Sequence, residues 1–179
     1  MTTPARSWTM RRPDVALALI RVVVGLWFFK SVWSKLTWSL AGGFLPIPTV
    51  SQRWIGFLPT RLAEYVENGA PGWYKSFLVN TALPNGELFA KLTAVGEVLV
   101  GVGLLFGILT VLASLGGLWL ILNYFIASLG GGLNPQGFHV LLITCFLVFI
   151  LTRAGRRLGF DGWLLRNHPR SFLARLHLS

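Results

Sequence analysis

The sequence predicts an all-α integral membrane protein, a four-helix bundle with a long extracytoplasmic loop between its first and second helices. Hydrophobic residues make up 54% of the 179-residue chain and charged residues only 12%, as is typical of membrane proteins. Four apolar runs lie at about residues 15–36, 88–109, 111–129 and 136–152. A helical run of this order of length crosses a bilayer core of roughly 30 Å, although the fourth is short. We therefore expect a single transmembrane domain over residues 1–179.

Turn-forming residues separate the four runs. Residues 37–86 form the predicted outer loop, which contains five prolines and several aromatic residues. Within it, residues 60–68 have the pattern of a short helix, because a threonine begins the segment and a glycine follows it. Residues 106–110 form a very short turn between the second and third runs, and the segment GGGLNP at 130–135 is a plain break before the fourth.

The charge distribution predicts the orientation in the membrane. The two tails, residues 1–14 and 153–179, carry nine arginines and only two acidic residues, whereas the loop 37–86 mixes both signs. The positive-inside rule therefore places both termini in the cytoplasm and the loop outside, in a multi-pass protein of the inner (cytoplasmic) membrane. Tail 153–179 alternates arginines with tryptophan and leucine, which predicts a segment lying on the membrane surface.

Composition also argues against several function classes. The net charge of +10 lies mainly at the chain ends, beside apolar runs, which indicates anionic lipid headgroups rather than nucleic acid. The single cysteine, Cys145, cannot form an internal disulfide, and the sequence has no CxxC motif for dithiol chemistry. The sequence also lacks a flavin or nucleotide fingerprint and a metal-ligand cluster, so we expect none of these cofactors.

Glu97 is a carboxylate within the second apolar run. A charge at the centre of a bilayer costs roughly 2.5 kcal/mol or more, so it normally has a partner and faces protein or a wet cavity. Counting about 1.5 Å per residue along spans of alternating direction places Lys35, Asn123 and His139 beside it in the outer half of the bilayer. Arg21 lies deeper. The sequence thus predicts a polar pocket under the outer loop.

Helical spacing divides the cations of the first span between two faces. Arg21, Gly25 and Lys35 follow one stripe, at i, i+4 and i+14. Lys30 lies on roughly the opposite face, where it snorkels towards the interface or contacts another subunit.

Simpler interpretations of these polar residues remain open. Arg21 and Glu97 could form a buried ion pair that only fixes the helix register. Asn123 could be an interhelical hydrogen-bonding residue, and His139 an ordinary interfacial histidine. None of these alternatives requires a ligand.

Three motifs resemble those of a known family. The first span reads Arg21-x3-Gly25-x2-Phe28-Phe29, the second contains GExxxG at 96–101, and residues 154–164 read AGRRLGFDGWL. Their order and spacing resemble the DoxX/DoxD group of small membrane proteins, and the last motif is closest to the DoxD side. The resemblance covers all four spans.

This resemblance implies a subunit of thiosulfate:quinone oxidoreductase, in which the DoxD-like chain is the large hydrophobic subunit and works with a second, small subunit. It implies oxidation of thiosulfate to tetrathionate outside the membrane, with two electrons passed to membrane quinone as the expected cofactor. The expected partners are at least one further membrane or extracytoplasmic protein subunit and membrane lipid.

Within that activity the polar residues have compatible roles. Glu97, Arg21 and His139 are the expected catalytic residues, because quinone reduction consumes two protons that a half-buried carboxylate or imidazole can carry. Lys35 and Asn123 are the expected substrate-binding residues, because the thiosulfate dianion needs cations and hydrogen-bond donors. Four further motif residues are expected to be structural: Gly25, Gly96, Arg156 and Asp161.

Other functions remain open. A non-catalytic accessory subunit of a larger membrane redox or photosynthetic complex would use Lys30, the exposed aromatic residues and the long loop as contact surface. Intramembrane charges also mark transporters and ion pathways. A quinone or oxyanion bound near Arg21, Glu97 and His139 would favour the enzyme, and a pocket filled by side chains with large burial between subunits would favour the accessory role.

Overall fold

The computed structural model of the protein describes residues 13–156 and 158–168. Four helical segments in it are long and apolar enough to cross a membrane: Asp14–Lys35, Gly86–Phe106, Thr110–Ala127 and Leu133–Thr152. The predicted four spans are therefore confirmed. The predicted tail residues 1–12 and 169–179, with Arg157 of the closing motif, lie outside the described residues.

The first span is built from two helices. Helix α1 (Pro13–Phe29) is followed, after a one-residue interruption at Lys30, by the short helix α2 (Ser31–Lys35). The Lys30 ammonium lies 3.4 Å from the centre of the Trp27 ring, a cation–π contact on the outer surface of the bundle. This position agrees with the predicted separation of Lys30 from the Arg21 stripe.

Glycines allow the spans to approach closely. Helix α1 packs along α5 (Gly86–Phe106), and α6 (Thr110–Ala127) packs along both α5 and α7 (Leu133–Thr152). A methyl group at Gly25 would lie 2.6 Å from the Leu105 nitrogen, and one at Gly101 would lie 2.5 Å from the Phe29 nitrogen. Only glycine fits at these two crossings, because the facing backbone leaves no room for a Cβ atom.

The prediction of a long loop over residues 37–86 is not confirmed. The chain forms an antiparallel hairpin of β1 (Leu36–Ala41) and β2 (Leu45–Val50), then α3 (Gln52–Asn68), α4 (Gly72–Phe77) and a π-helical turn (Leu78–Ala82). Helix α3 begins eight residues before the predicted one, because the Ser51 hydroxyl caps it by accepting the Trp54 N–H at 3.3 Å. Its end at Gly69 agrees with the prediction.

A second hydrophobic core lies under these added helices. It joins α3, α4 and the π-helical turn to the near ends of α5 and α6, and its buried members include Leu58, Leu62, Tyr74, Leu78 and Ala90. The segment therefore packs onto one end of the bundle, which we call the hairpin end. The strands themselves project from it with mostly exposed side chains.

The opposite end, the tail end, carries the turn between α5 and α6 and the short helix α8 (Phe160–Asn167). Gly107 ends α5 with a φ of 66°. Leu109, the residue before α6, has a φ of 46°, which is unusual for a branched side chain. The predicted turn is confirmed. Helix α7 begins at Leu133 rather than 136, because Asn134 and Pro135 fit its first turn.

Candidate ligand-binding site

Glu97 lies in the middle of α5 with its side chain almost fully buried. Three donors surround its carboxylate: the Ser31 hydroxyl and the Lys35 ammonium contact Oε2, each at 2.5 Å, and the Tyr124 hydroxyl donates to Oε1 at 2.7 Å. These donors come from α2 and α6, so the carboxylate joins three spans. The predicted partner for the buried acid exists, and it is Lys35.

Lys35 reaches Glu97 from the last residue of α2. Its side chain is 12% exposed and that of Glu97 is 11% exposed, so both charges of this ion pair are largely removed from solvent. The Lys35 ammonium also lies 3.9 Å from the centre of the Trp54 ring of α3, which adds a cation–π contact. The indole N–H of Trp54 in turn donates to the Ala90 carbonyl of α5 at 3.1 Å, which fixes the ring.

A cavity of about 560 Å³ opens beside this ion pair. Its walls come from α3, α4, the π-helical turn, α5 and α6, and Lys35 of α2 and His139 of α7 also line it. The lining is mainly apolar and includes six aromatic residues of the hairpin end: Trp54, Phe57, Tyr65, Tyr74, Phe77 and Phe89. Cavities of 300–1,000 Å³ with apolar walls and a few polar groups are typical of small-molecule sites.

Asn123 and His139 also line the cavity. The Asn123 carbonyl oxygen accepts a hydrogen bond from the Tyr74 hydroxyl at 2.9 Å, and its amide donates to the Trp119 carbonyl at 2.8 Å. His139 Nδ1 lies 3.3 Å from the Ser128 hydroxyl. Burial raises the pKa of Tyr74 from 10 to about 12, so its phenol remains a protonated donor even above pH 10.

Arg21 lies away from this cavity. Its guanidinium donates to the Ala154 carbonyl at 3.0 Å and the Leu158 carbonyl at 2.9 Å, both at the tail end. Fourteen residues separate Arg21 from Lys35, or about 21 Å along a helix. The Arg21–Glu97 ion pair considered from the sequence is therefore not formed, and the fully buried Arg21 holds the closing motif instead.

Asp161 completes the contacts at the tail end. Its carboxylate accepts hydrogen bonds from the backbone N–H groups of Leu109 and Thr110, each at 2.8 Å, and thereby caps the start of α6.

The other predicted motif residues lie at both ends of the bundle. Arg156 is exposed, and the loop around it packs tightly, because a Cβ atom at Gly162 would collide with the Arg156 carbonyl. At the cavity, a methyl group at Gly96 would meet the Leu120 side chain at 3.4 Å.

Three residues around Glu97 and its ion pair were not predicted from the sequence. Ser31 lies four residues before Lys35 and therefore on the same helical face, which was a usable signal. Tyr124 adjoins Asn123 in an apolar run, where an aromatic residue does not distinguish a hydrogen-bond donor from a core residue. Trp54 fell within the segment predicted as a loop.

The charges at the cavity nearly balance. Lys35 is paired with Glu97, and Arg61, which also lines the cavity, is paired with Glu64 at 2.6 Å. A dianion would thus find no cation in the cavity wall without an acidic partner, among the residues described. An uncharged ligand with an apolar body and polar ends matches the walls better.

Comparison with known families supports this membrane architecture. The sequence model of the DoxD family, described as "TQO small subunit DoxD", matches residues 17–176. The chain belongs to the DoxD family. TQO denotes thiosulfate:quinone oxidoreductase. The description makes a DoxD chain the small subunit, which corrects the expectation of a large one. Searches of curated proteins and of solved structures found no significant match.

The match to the DoxD family covers the first span from residue 17, the other three spans and the closing motif, so Arg21, Glu97 and Asp161 all fall within it. A family described as a small subunit implies a partner subunit. The four apolar helices and the family together describe a multi-pass membrane subunit.

Proposed function

We propose that this DoxD chain is the membrane subunit of a thiosulfate:quinone oxidoreductase and that it binds the quinone in the cavity beside Glu97. The main support for the proposal is the cavity, which has apolar and aromatic walls and a buried ion pair in its lining. A quinone likewise combines apolar parts, its ring and tail, with two polar carbonyl oxygens. The volume of about 560 Å³ is within the range of small-molecule sites.

Thiosulfate fits the cavity less well. It is a strongly hydrated dianion, and removing it from water requires cations that are not already neutralised. Lys35 already faces Glu97 at 2.5 Å. We therefore assign quinone to this cavity and thiosulfate oxidation to a surface formed with the partner subunit. This changes the expected role of Lys35 and Asn123 from binding thiosulfate to binding the quinone oxygens.

The two half-reactions balance in electrons, and the two protons that the quinone takes up come from the aqueous phase. Two thiosulfate ions release two electrons when they join through a new S–S bond as tetrathionate, and the quinone takes up two electrons and two protons to become the quinol. Glu97 and His139 line the cavity and are the groups that hold protons there, at the carboxylate and imidazole. Lys35 and Tyr124 orient the Glu97 carboxylate through their hydrogen bonds. Arg21 has a structural role in this proposal.

The orientation in the membrane is also a proposal. Both arginine-rich tails would face the cytoplasm, and the hairpin end would face outward across the inner membrane. The quinone cavity then lies in the outer half of the bilayer, on the side where thiosulfate is oxidised. Labelling of a cysteine placed at Gly43, in the hairpin turn, by a membrane-impermeant reagent in intact cells tests this. Labelling only after lysis would reverse the orientation.

The quinone assignment is tested by equilibrium binding. Titrating the purified protein with a short-chain benzoquinone should quench the fluorescence of Trp54, which stands at the cavity wall. The Trp54→Phe variant should lose that part of the quenching, and Trp73→Phe, an exposed tryptophan outside the cavity lining, should keep it. Equal quenching in both variants, or no saturable binding, would exclude the cavity as the quinone site.

The hairpin favours a protein contact as a second role of this chain. Residues 36–50 carry no charge, and Trp38, Leu40 and Phe44 are 69%, 64% and 81% exposed. Exposed apolar side chains of this size mark interaction surfaces. We infer that the partner subunit implied by the family description packs here.

The backbone of the hairpin indicates which edge the partner uses. Ser51 N–H donates to the Lys35 carbonyl at 2.9 Å, which makes this a hydrogen-bonded pair of the ladder. Hydrogen-bonded and non-hydrogen-bonded pairs alternate along an antiparallel ladder. Trp38 and Leu40 fall in non-hydrogen-bonded pairs, so their N–H groups point away from β2. The facing residues on β2 are Pro48 and Pro46, which have no N–H to offer. Strand addition by a partner is therefore possible along β1 and hindered along β2.

The partner surface is tested by gentle purification from membranes and identification of the subunits that co-purify. Leu40→Lys on β1 should reduce the recovery of the partner subunit, because it places a charge in the apolar contact. Ile47→Lys on β2, the matched control, should leave recovery nearly unchanged. Equal recovery with Leu40→Lys and the wild type would remove β1 from the interface.

A further inference from the structure

The cavity has a mouth on the side of the bundle. Two residues that line it from the spans are strongly exposed: Leu92 of α5 is 57% exposed and Trp119 of α6 is 70% exposed. Gly116 of α6 also lines the cavity and is exposed. A residue that both lines a cavity and faces outward lies at an opening. One mouth therefore lies between α5 and α6, and Phe57 and Arg61 of α3, which also line the cavity and are exposed, mark a second opening at the hairpin end.

Small residues keep this mouth open. A methyl group at Gly116 would have only the Val100 side chain nearby, at 3.6 Å, and one at Gly96 would have only Leu120, at 3.4 Å. Both are ordinary van der Waals contacts, unlike the collisions at Gly25 and Gly101. Close helix packing thus does not require glycine at position 116. Its effect is to leave a gap in the wall between α5 and α6.

The mouth lies at the depth of the hydrocarbon. Trp119 is nine residues from Thr110, which begins α6 at the tail end, or about 14 Å along the helix. Beyond this level α6 stays apolar to Ala127, whereas α5 carries the exposed Glu87–Lys91 ion pair next to the hairpin end. The mouth therefore lies in the half of the spans nearer the hairpin end, roughly 10 Å in from that end, where a lateral opening faces lipid chains.

We propose that this opening is a lateral portal through which the tail of a membrane quinone runs from the cavity into the bilayer. The inference rests on the proposed quinone site and adds the route by which a ligand with a long apolar tail reaches it. The ring lies beside Glu97, and the tail passes the gap at Gly116 between Leu92 and Trp119. The cavity then need enclose only the head of the ligand, since the bilayer solvates the rest.

The test compares two quinones with the same ring, one without a tail and one with a ten-carbon tail, against purified protein in lipid nanodiscs. Gly116→Leu fills the gap, and Leu115→Phe is the matched control, because it adds bulk on the same helix at a residue outside the cavity lining. For Gly116→Leu we expect the dissociation constant of the tailed quinone to rise about tenfold. A change of this size corresponds to roughly two methylene groups of the tail losing their contact with the protein. The tailless quinone should stay within about twofold of the wild type.

The outcomes separate the portal from the quinone site. If Gly116→Leu weakens both quinones equally, or neither, the portal is wrong and the quinone site stands. If the wild type binds neither quinone, the proposed function fails, and the portal fails with it. Trp119→Ala provides a second measurement, because widening the mouth should speed association of the tailed quinone. An unchanged association rate would also overturn the portal.

Discussion

Lys35 Nζ lies 2.5 Å from Glu97 Oε2 and joins the end of the first span to the middle of the second. Both residues line the cavity, and Ser31 and Tyr124 complete the set of donors to the carboxylate. It therefore has two separable consequences, one for the assembly of the bundle and one for the chemistry of the cavity. The predictions below distinguish them.

Removing one member of the pair should destabilise the bundle more than removing both. Lys35→Met leaves Glu97 as a buried charge without its cation, which costs about 3–5 kcal/mol in comparable buried pairs. The double variant Lys35→Met/Glu97→Leu should recover most of this loss, because two apolar side chains replace two charges. Thermal unfolding in detergent measures both. Additive losses in the double variant would contradict direct coupling.

Glu97→Gln should abolish thiosulfate-dependent quinone reduction while the bundle still assembles. The amide is close in size to the carboxylate, but it cannot take up and release a proton in the cavity. Activity of the assembled complex and size-exclusion profiles provide the two readouts, with Glu87→Gln, an exposed carboxylate on the same helix, as control. Wild-type turnover by Glu97→Gln would remove Glu97 from the mechanism.

Asp161→Ala should lower the melting temperature without changing quinone binding. The substitution removes the acceptor for the N–H groups of Leu109 and Thr110, and loss of such a helix cap costs about 0.5–2 kcal/mol. The cost should lie at the upper end, because the cap also holds Leu109 at a positive φ. Asp161→Asn keeps one acceptor oxygen and should lose less. A changed quinone affinity would link the tail end to the cavity.

Gly25→Ala should destabilise the bundle, whereas Gly137→Ala should not. The added methyl group at Gly25 would meet the Leu105 backbone at 2.6 Å, but at Gly137 it meets nothing within 4 Å. Because Gly137 lies within α7, alanine there should stabilise the helix by roughly 0.5–1 kcal/mol through its better helix propensity. Melting temperatures of the two variants should therefore move in opposite directions.

Tyr74 should make the fold sensitive to alkaline pH. Its phenol has a pKa raised by burial from the usual 10 to about 12. Between pH 10 and 12 the unfolded chain loses this proton while the folded chain keeps it, so the free energy of unfolding falls as pH rises, by about 1.4 kcal/mol per pH unit. Below pH 10 the group contributes no pH dependence.

Tyr74→Phe provides the comparison for that prediction. The variant loses the hydrogen bond to Asn123 at every pH, so it should be uniformly less stable below pH 10. Its stability should then decline less steeply than the wild type between pH 10 and 12. Chemical unfolding at several pH values measures both slopes, and identical slopes would mean that Tyr74 ionises normally in the folded protein.

The sequence by itself determined the four spans, the short turn between α5 and α6, and the need of the buried Glu97 carboxylate for a partner. These follow from composition, run length and the cost of a buried charge, which are local properties. The hairpin and the first eight residues of α3 could not be predicted in the same way. The hairpin side chains are mostly exposed, and the apolar residues of α3 pack against α5 and α6, so neither segment forms a long apolar run of its own.

Only the tertiary structure decided which cation meets Glu97. Arg21 and Lys35 lie fourteen residues apart on one stripe of the first span, so helical periodicity cannot distinguish them. The register between α1 and α5 is set where Gly25 meets Leu105 and Gly101 meets Phe29. Close backbone contact at these glycines permits only one alignment of the two helices. In that alignment the end of α2 lies level with Glu97, and Arg21 lies beside the closing motif.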